Sequence, residues 1–339
     1  FHQFSGSNHT PHSVSIFAHA TGTVAFFDGQ NGEGHTDALS VQVTGLPALK
    51  TGTMYDVWLY NDTAEHPLLL GSLALQTNMW ALSYTGNGVN SGSSGQPSAN
   101  LLGLGNAVRV TLEHGAVQSP VGAVVVAGVF PPVAFSHIQH LLVAFDTNPD
   151  KKGYLVGLLQ QLRTLDQQVR ALQYAMSRNL PNSSGCAAHN VINLLEGPSG
   201  THSQQVIAQC AIVGITPSDA RKALLGPSGW ITGAADHASY ALDSPDATEF
   251  IKMHAPHVVI ACTDIANWLE QVDQITVAMI STYFNGNQAQ QIISLVDRAI
   301  NGVDINGDES IDPVAGEAGA IIAYDHGQKL ATLQLAPLG

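Results

Sequence analysis

The chain has 339 residues, of which only 11% are charged, and its 12 Lys and Arg residues against 26 Asp and Glu residues give a formal net charge of -14. This length suits two domains, and the negative charge would repel nucleic acid and anionic membrane surfaces, which we therefore exclude as partners. We also expect no membrane insertion, because the longest apolar run, residues 121–133, is interrupted by Gly and Pro and is shorter than the roughly 20 residues that span a bilayer.

Short strand-like segments fill the first half of the chain. Turn clusters of Gly, Asn, Asp and Pro separate them at the spacing typical of an all-β sandwich. Residues 86–100 contain almost no apolar side chains and predict one long exposed loop. The predicted strands are residues 14–17, 23–27, 38–44, 55–60, 68–75, 107–112 and 123–129.

One stretch of this half resembles a known family. Residues 52–60 read Gly-Thr-Met-Tyr-Asp-Val-Trp-Leu-Tyr, with Val-Thr-Gly-Leu-Pro before them at 43–47 and Pro-Leu-Leu-Leu-Gly-Ser-Leu after them at 67–73. This pattern resembles the extracytoplasmic domain of the anti-sigma-K factor family. The resemblance implies a small β-sandwich on the outer side of a bacterial membrane. The sequence has no counterpart of that family's sigma-binding segment or membrane helix, so transcriptional regulation does not carry over.

From about residue 134 the apolar period becomes helical. Leucine and valine residues recur every three or four positions between Leu155 and Met176, which predicts one buried helical stripe. Pro256 lies inside the longest pattern and predicts a kink or a restart there. We therefore divide the chain into a β-sandwich domain, residues 1–135, and an α-helical bundle domain, residues 136–339. Further helices are predicted at residues 185–196, 202–213, 217–225, 230–242, 246–282, 287–301 and 314–334.

The 15 histidines are the main candidates for transition-metal ligands. Histidines three apart on a helix lie on one face and can bind one ion. We predict that at least two of the helical-domain histidines share a transition-metal or haem site, although a single His is more often a hydrogen-bonded residue of the core or its boundary. The pair His9 and His12 is expected in solvent, and the pair His137 and His140 in a packing role at the domain junction. The candidate ligands are His189, His237, His254, His257 and His326.

Residues 304–317 predict a calcium site. Their side-chain oxygens fall at alternate positions, as in EF-hand and dockerin loops, with Ile311 as the apolar eighth residue. Two positions depart from the pattern, because Glu309 replaces the sixth-position Gly and Glu317 comes two residues late for the bidentate ligand. The alternative is a solvated acidic turn, which is how we interpret the shorter segment 146–150. The proposed ligands are Asp304, Asn306, Asp308, Ser310, Asp312 and Glu317.

The second half is also similar to uncharacterised secreted bacterial proteins that combine His-x-x-His helices with a calcium-type loop. Residues 314–328, Val-Ala-Gly-Glu-Ala-Gly-Ala-Ile-Ile-Ala-Tyr-Asp-His-Gly-Gln, carry the ending of that pattern. No established activity comes with this resemblance. Cys186, Cys210 and Cys262 allow one disulfide, and the sequence leaves all three pairings open.

Several common enzyme motifs are absent from the sequence. We find no Gly-x-Ser-x-Gly, His-Glu-x-x-His, phosphate-binding Gly-rich loop or Cys-x-x-Cys-His. We therefore favour a non-enzymatic role: a secreted or cell-surface calcium-binding structural protein whose copies associate with one another. The alternative is a His-ligated transition-metal or haem protein for electron transfer, metal carriage or oxidative chemistry. The start at Phe1 fits a chain whose signal peptide has been removed and equally fits a shortened chain.

Overall fold

The structure is a computed structural model that describes residues 16–29, 34–61, 67–86, 99–204, 210, 220–281 and 286–338. Two antiparallel sheets come mainly from the first half of the chain, and helices come from the second half. Some predictions lie outside the described residues: the histidines at 9 and 12, most of the loop 86–100, the helix 202–213 except residues 202–204 and 210, and the first part of the helix 217–225. The predicted strand 14–17 lies half outside them, and its residues 16 and 17 form a turn instead.

Nine strands make up the two sheets within the described residues. One sheet has the order β5-β6-β2-β1-β9 and the other has the order β4-β3-β7-β8. Strands β6 and β9 were not predicted. The strands are β1 (Thr21–Phe27), β2 (Ala38–Thr44), β3 (Thr53–Tyr60), β4 (Leu68–Ser72), β5 (Ala74–Gln76), β6 (Met79–Thr85), β7 (Ala107–His114), β8 (Ala123–Val129) and β9 (Thr332–Leu335).

Alternating burial explains how the first sheet faces the core. In β2, Val41 and Val43 are buried while Gln42 and Thr44 are exposed, as the two-residue period of a strand requires. The pairing of β1 with β2 runs without a shift from Thr21 opposite Thr44 to Phe27 opposite Ala38. The apolar face therefore fixes the register of this sheet.

Strand β9 returns from the end of the helical half to the first sheet. It pairs with β1 from Ala25 opposite Thr332 to Gly22 opposite Leu335. A further bridge joins Ala336 to Ala127 in β8 of the second sheet. The end of the chain thus touches both sheets.

The helices agree with the sequence patterns over most of their length. Within the pattern 246–282, residues 249–281 form one helix that continues through Pro256 without restarting. The pattern 314–334 is instead a shorter helix followed by β9, and residues 220–229 form bends and turns. The helices are α1 (Leu101–Leu104), α2 (Pro132–Leu142), α3 (Tyr154–Ser177), α4 (Pro181–Glu196), α5 (Trp230–Asp243), α6 (Glu249–Ser281), α7 (Gly286–Asn301) and α8 (Ala320–Lys329).

A continuous hydrophobic core joins the sheets to the helices. It includes Phe26 and Val110 from the strands and Leu155 and Ile265 from the helices. The predicted stripe on α3 is buried at Leu155, Leu158, Leu162, Leu165, Val169 and Leu172, whereas Met176 is only partly buried.

One disulfide resolves the three pairings left open above. It joins Cys186 in α4 to Cys210, with 5.7 Å between their Cα atoms. Cys262 in α6 is a buried free thiol, and burial raises its pKa to about 12. A thiol with this pKa stays protonated at neutral pH, so Cys262 is a core residue and a poor metal ligand.

Candidate metal centres

Three histidines from α2 and α5 form what we call the first His cluster: His137, His140 and His237. The spacing of His137 and His140 places both rings on one face of α2, where they meet His237 of α5. The Nδ1 atoms of His137 and His237 are 3.0 Å apart. One potential ligand atom from each of the three side chains lies within 4.8 Å of the others.

Aromatic rings enclose the first His cluster. The ring centre of Phe145 is 4.9 Å from that of His140, and Tyr154 is 5.1 Å from His237. Tyr240 lies 5.4 Å from His137 on the more exposed side. The Nδ1 atom of His140 is buried and has no hydrogen-bond partner in the described part of the protein. A buried polar nitrogen without a partner is costly, and a bound cation would satisfy it.

Burial keeps the first His cluster uncharged. It lowers the pKa of His237 to about 4, with a further contribution from the neighbouring His140 and His137. Burial also lowers the pKa of His137 and of His140. A metal ion binds the neutral imidazole, so these side chains are in the binding form at neutral pH.

Reciprocal contacts between α3 and α5 position Tyr154 against His237. Gly157 of α3 faces the Trp230 ring, and a methyl group on Gly157 would overlap that ring. Gly233 of α5 faces the Tyr154 ring in the same way. Each helix therefore supplies a large ring to a glycine of the other helix, which brings the two backbones close together.

The second His cluster lies between α6 and α8 and consists of His254, His257 and His326. The Nδ1 atom of His326 is 2.9 Å from that of His254 and 3.1 Å from that of His257. An imidazole nitrogen carries either one hydrogen or one lone pair in the ring plane, so hydrogen bonding can satisfy only one of these two contacts. Three ligands at about 2.0 Å from a tetrahedral ion would be about 3.3 Å apart, which is close to the distances observed.

Nearby charges shape the second His cluster. Burial lowers the pKa of His326 to about 4, and Lys329, His257 and His254 lower it further. Burial and Lys329 also lower the pKa of His254. Lys329 is paired with Asp325 at 2.6 Å, one helical turn earlier, so its charge near the cluster is largely compensated.

Helix α8 is attached to the first sheet next to this cluster. The Tyr324 hydroxyl donates a hydrogen bond to Asp28, at 3.0 Å, and the Asp28 amide donates to Gln328, at 2.6 Å. Asp28 follows directly after β1. These contacts hold α8, and thus His326, against the first sheet.

The five predicted His ligands separate into three groups. His254, His257 and His326 come together. His237 joins His137 and His140, to which we had given a packing role. His189 belongs to neither cluster; its Nδ1 atom is buried without a partner among the described residues, and burial lowers its pKa. Sequence spacing reveals the two His-x-x-His pairs but not which distant His completes each one.

The acidic loop is folded on its own backbone. Asp304 accepts hydrogen bonds from the amides of Gly307 at 2.6 Å and Glu309 at 2.9 Å, and these bonds lower the pKa of Asp304. Asn306 accepts from the amide of Asp308, and Asp308 accepts from the amide of Ser310, both at 2.9 Å.

Glu317 also binds this backbone. Its buried carboxylate accepts from the amide of Ile305 at 3.3 Å and that of Asp312 at 3.0 Å, and Asp312 is 3.4 Å from the Ser310 hydroxyl. Among the described residues, only the two His clusters bring three His, Cys, Asp or Glu ligand atoms within 4.8 Å of one another. The acidic loop does not.

The loop nevertheless has the backbone shape of a calcium loop at its sixth position. Glu309 adopts a φ of 68°, the left-handed conformation for which EF-hand loops use Gly. The sixth position therefore departs from the EF-hand pattern in residue type, with Glu in place of Gly, and not in its backbone φ angle.

Comparison with known protein families, curated proteins and solved structures finds no match to this chain. The two resemblances drawn from the sequence stay predictions. Within the described residues, no helix combines the length and apolar character needed to cross a membrane.

Proposed function

We propose that the protein binds two transition-metal ions, one in each His cluster, for metal carriage or electron transfer. The observation that carries this proposal is the double contact of the His326 Nδ1 atom with His254 and His257, which one cation satisfies and hydrogen bonding does not. Neutral imidazoles suit zinc, copper, iron and nickel better than calcium, which prefers oxygen. Three rings directed at one point suit a single ion, whereas haem needs room for a macrocycle beside each axial His.

Metal stoichiometry in single-site variants tests this proposal. We expect the wild-type protein to bind two zinc ions per chain in calorimetry, confirmed by elemental analysis after dialysis. His237→Ala and His326→Ala should each bind one ion, and the double variant none. His114→Ala, at the exposed end of β7 and outside both clusters, is the matched control and should bind two. Equal zinc binding by the wild type and the double variant would overturn the proposal.

A second candidate function is calcium binding by residues 304–317. The left-handed conformation of Glu309, together with the two amides bound by Asp304, supports this proposal because both features occur in EF-hand loops. Calcium would stabilise the segment between α7 and α8 by binding the folded state alone. We expect calcium to raise the melting temperature, and Asp304→Asn to remove that effect. Asp146→Asn, in the shorter acidic turn, is the control. A melting temperature that does not respond to calcium would exclude this candidate.

We also propose that the two sheets form a β-sandwich joined to a helical bundle, and that the protein acts outside the cell or at its surface. The shared core of strand and helix residues supports the architecture. The disulfide between Cys186 and Cys210 supports an oxidising compartment.

We further propose that copies of the protein associate with one another, because the sequence has few charged residues. Sedimentation at high protein concentration tests this association, and a single monomeric species would contradict it.

A further inference from the structure

The two His clusters lie at the same level of one helical hairpin. Helices α5 and α6 pack against each other and are joined by only residues 244–248, which makes them antiparallel neighbours. His237 of α5 and His254 of α6 are each between one and two turns from this connection. The first His cluster therefore lies beside α5 at the same height along the hairpin at which the second His cluster lies beside α6.

A second contact brings the outer helices of the two clusters together. Leu142, two residues after His140 in α2, lies next to Gly327, which follows His326 in α8. A Cβ atom built on Gly327 would be 3.7 Å from the Leu142 Cδ2 atom. The contact of α5 with α6 and the contact of α2 with α8 therefore both place the two His clusters close to one another.

Helix spacing sets the separation of the two sites. Packed helices have axes about 8–10 Å apart, and the buried alanines Ala234, Ala238, Ala241 and Ala255 on α5 and α6 favour the short end of that range. With the first His cluster where α2 packs on α5 and the second where α8 packs on α6, the two ions would be roughly 10–20 Å apart. Two ions that share bridging ligands are about 3.5–4 Å apart, so each ion here keeps its own ligands.

We propose that the two His clusters form a pair of copper centres that exchange single electrons across α5 and α6, an inference that rests on the proposed transition-metal function. Among divalent first-row metals copper binds nitrogen ligands most tightly, and unlike zinc it changes oxidation state. In the exchange, Cu(I) in one cluster becomes Cu(II) while Cu(II) in the other becomes Cu(I). One electron moves and no bond to an outside atom forms or breaks. A small one-electron reductant supplies the electron, and a small one-electron oxidant removes it.

Electron paramagnetic resonance of the Cu(II)-loaded protein tests the pairing. We expect the two Cu(II) ions of the two-site protein to show a dipolar coupling, as line broadening or as a modulation in a pulsed double-resonance measurement, that is absent from His237→Ala and His326→Ala, each loaded with one copper ion. No dipolar coupling in either measurement, with two copper ions bound, would overturn the pairing and leave the proposed function intact. No copper bound by any of these proteins would overturn the copper pair, and the proposed function would fall with it only if the wild-type protein also binds no zinc.

Reduction kinetics test the electron exchange. The reductant is either ascorbate or hexaammineruthenium(II), whichever reduces the two single-site variants at different rates. We expect both copper ions of the two-site protein to be reduced at the rate of the faster variant, because the faster site passes electrons to the slower one. Two phases that match the two variants would show that the sites react independently and would overturn the exchange.

Discussion

Asp273 in α6 is a carboxyl group in an unfavourable position. Its Oδ1 atom is buried without a hydrogen-bond partner among the described residues, and it lies near Glu196, which is paired with His202 at 2.6 Å. Burial and the charge of Glu196 raise the pKa of Asp273 to about 6 from its ordinary value of 3.8, while His202 acts in the opposite direction. The folded protein therefore holds this proton more tightly than the unfolded chain does.

This raised pKa predicts that Asp273→Asn stabilises the protein at high pH. The stability that the protonated Asp273 contributes is complete below pH 3.8 and is lost as the pH rises through 6. The neutral Asn keeps that contribution, so we expect a gain of about 2 kcal/mol in the free energy of unfolding at pH 8 and almost none at pH 4. Urea denaturation at both pH values measures this gain in the free energy of unfolding. Glu270→Gln, on the exposed face of α6, is the control, and an equal gain at both pH values would contradict the explanation.

Glu309 predicts a different effect, one of backbone strain. A side chain at a φ of 68° is strained, and Gly is not. We expect Glu309→Gly to raise the free energy of unfolding by about 0.5–1 kcal/mol. Glu309→Ala removes the same charge but keeps a Cβ atom, so it should give no such gain in urea denaturation. If Ala stabilises as much as Gly, the effect is one of charge and not of strain.

At the scale of single residues, the sequence predicts the features that depend only on neighbouring positions in the chain. The spacing of His137 and His140, or of His254 and His257, is visible in four consecutive residues, since it needs only the helical period. The third histidine of each cluster comes from a distant helix, and nothing near His237 or His326 in the sequence indicates which pair it meets. The left-handed backbone conformation of Glu309 was likewise not predictable from the sequence, because Glu rarely adopts it.

Between helices, the reciprocal contacts of α3 and α5 are the ones that position the first His cluster. We expect Gly157→Ala and Gly233→Ala each to lower the free energy of unfolding by about 1–3 kcal/mol, because the added methyl group would overlap the Trp230 or Tyr154 ring. Gly185→Ala in α4 is the matched control: a methyl group there meets no atom, and Ala should stabilise the helix by about 0.5–1 kcal/mol. Thermal or urea denaturation compares the three. Similar effects at all three glycines would show that helix propensity, and not packing, determines the change in the free energy of unfolding.

The long helix α3 was predictable from its period, and the short strand β9 was not. The pattern of α3 repeats over many turns and survives as a buried stripe. Strand β9 has only four residues, and its apolar spacing also fits the end of a helix, so its pairing with β1 decides its structure. Pro256 shows the converse: it lacks an amide proton, yet α6 continues through it, because tertiary packing outweighs the local cost.

For the molecule as a whole, metal removal should loosen the C-terminal segment first. His326 is the residue that α8 contributes to the second His cluster, and α8 leads directly into β9. We expect chelation of the zinc-loaded protein to increase amide hydrogen exchange in α8 and β9 and to leave β3 and β7 almost unchanged. Bound metal at one hundred times its dissociation constant would contribute about 2.7 kcal/mol. In His326→Ala the chelator should have no effect on these amides, and an unchanged response would contradict the coupling.

The return of β9 has a consequence for how the protein is made. Gln334 hydrogen-bonds to Gly22, a partner 312 positions earlier in the chain. During translation the edge of β1 that pairs with β9 must stay without this neighbour until residues 332–335 have left the ribosome, and a contact of such long range forms slowly. Until β9 emerges, the nascent sheet presents an unpaired edge that a chaperone or another nascent chain can occupy.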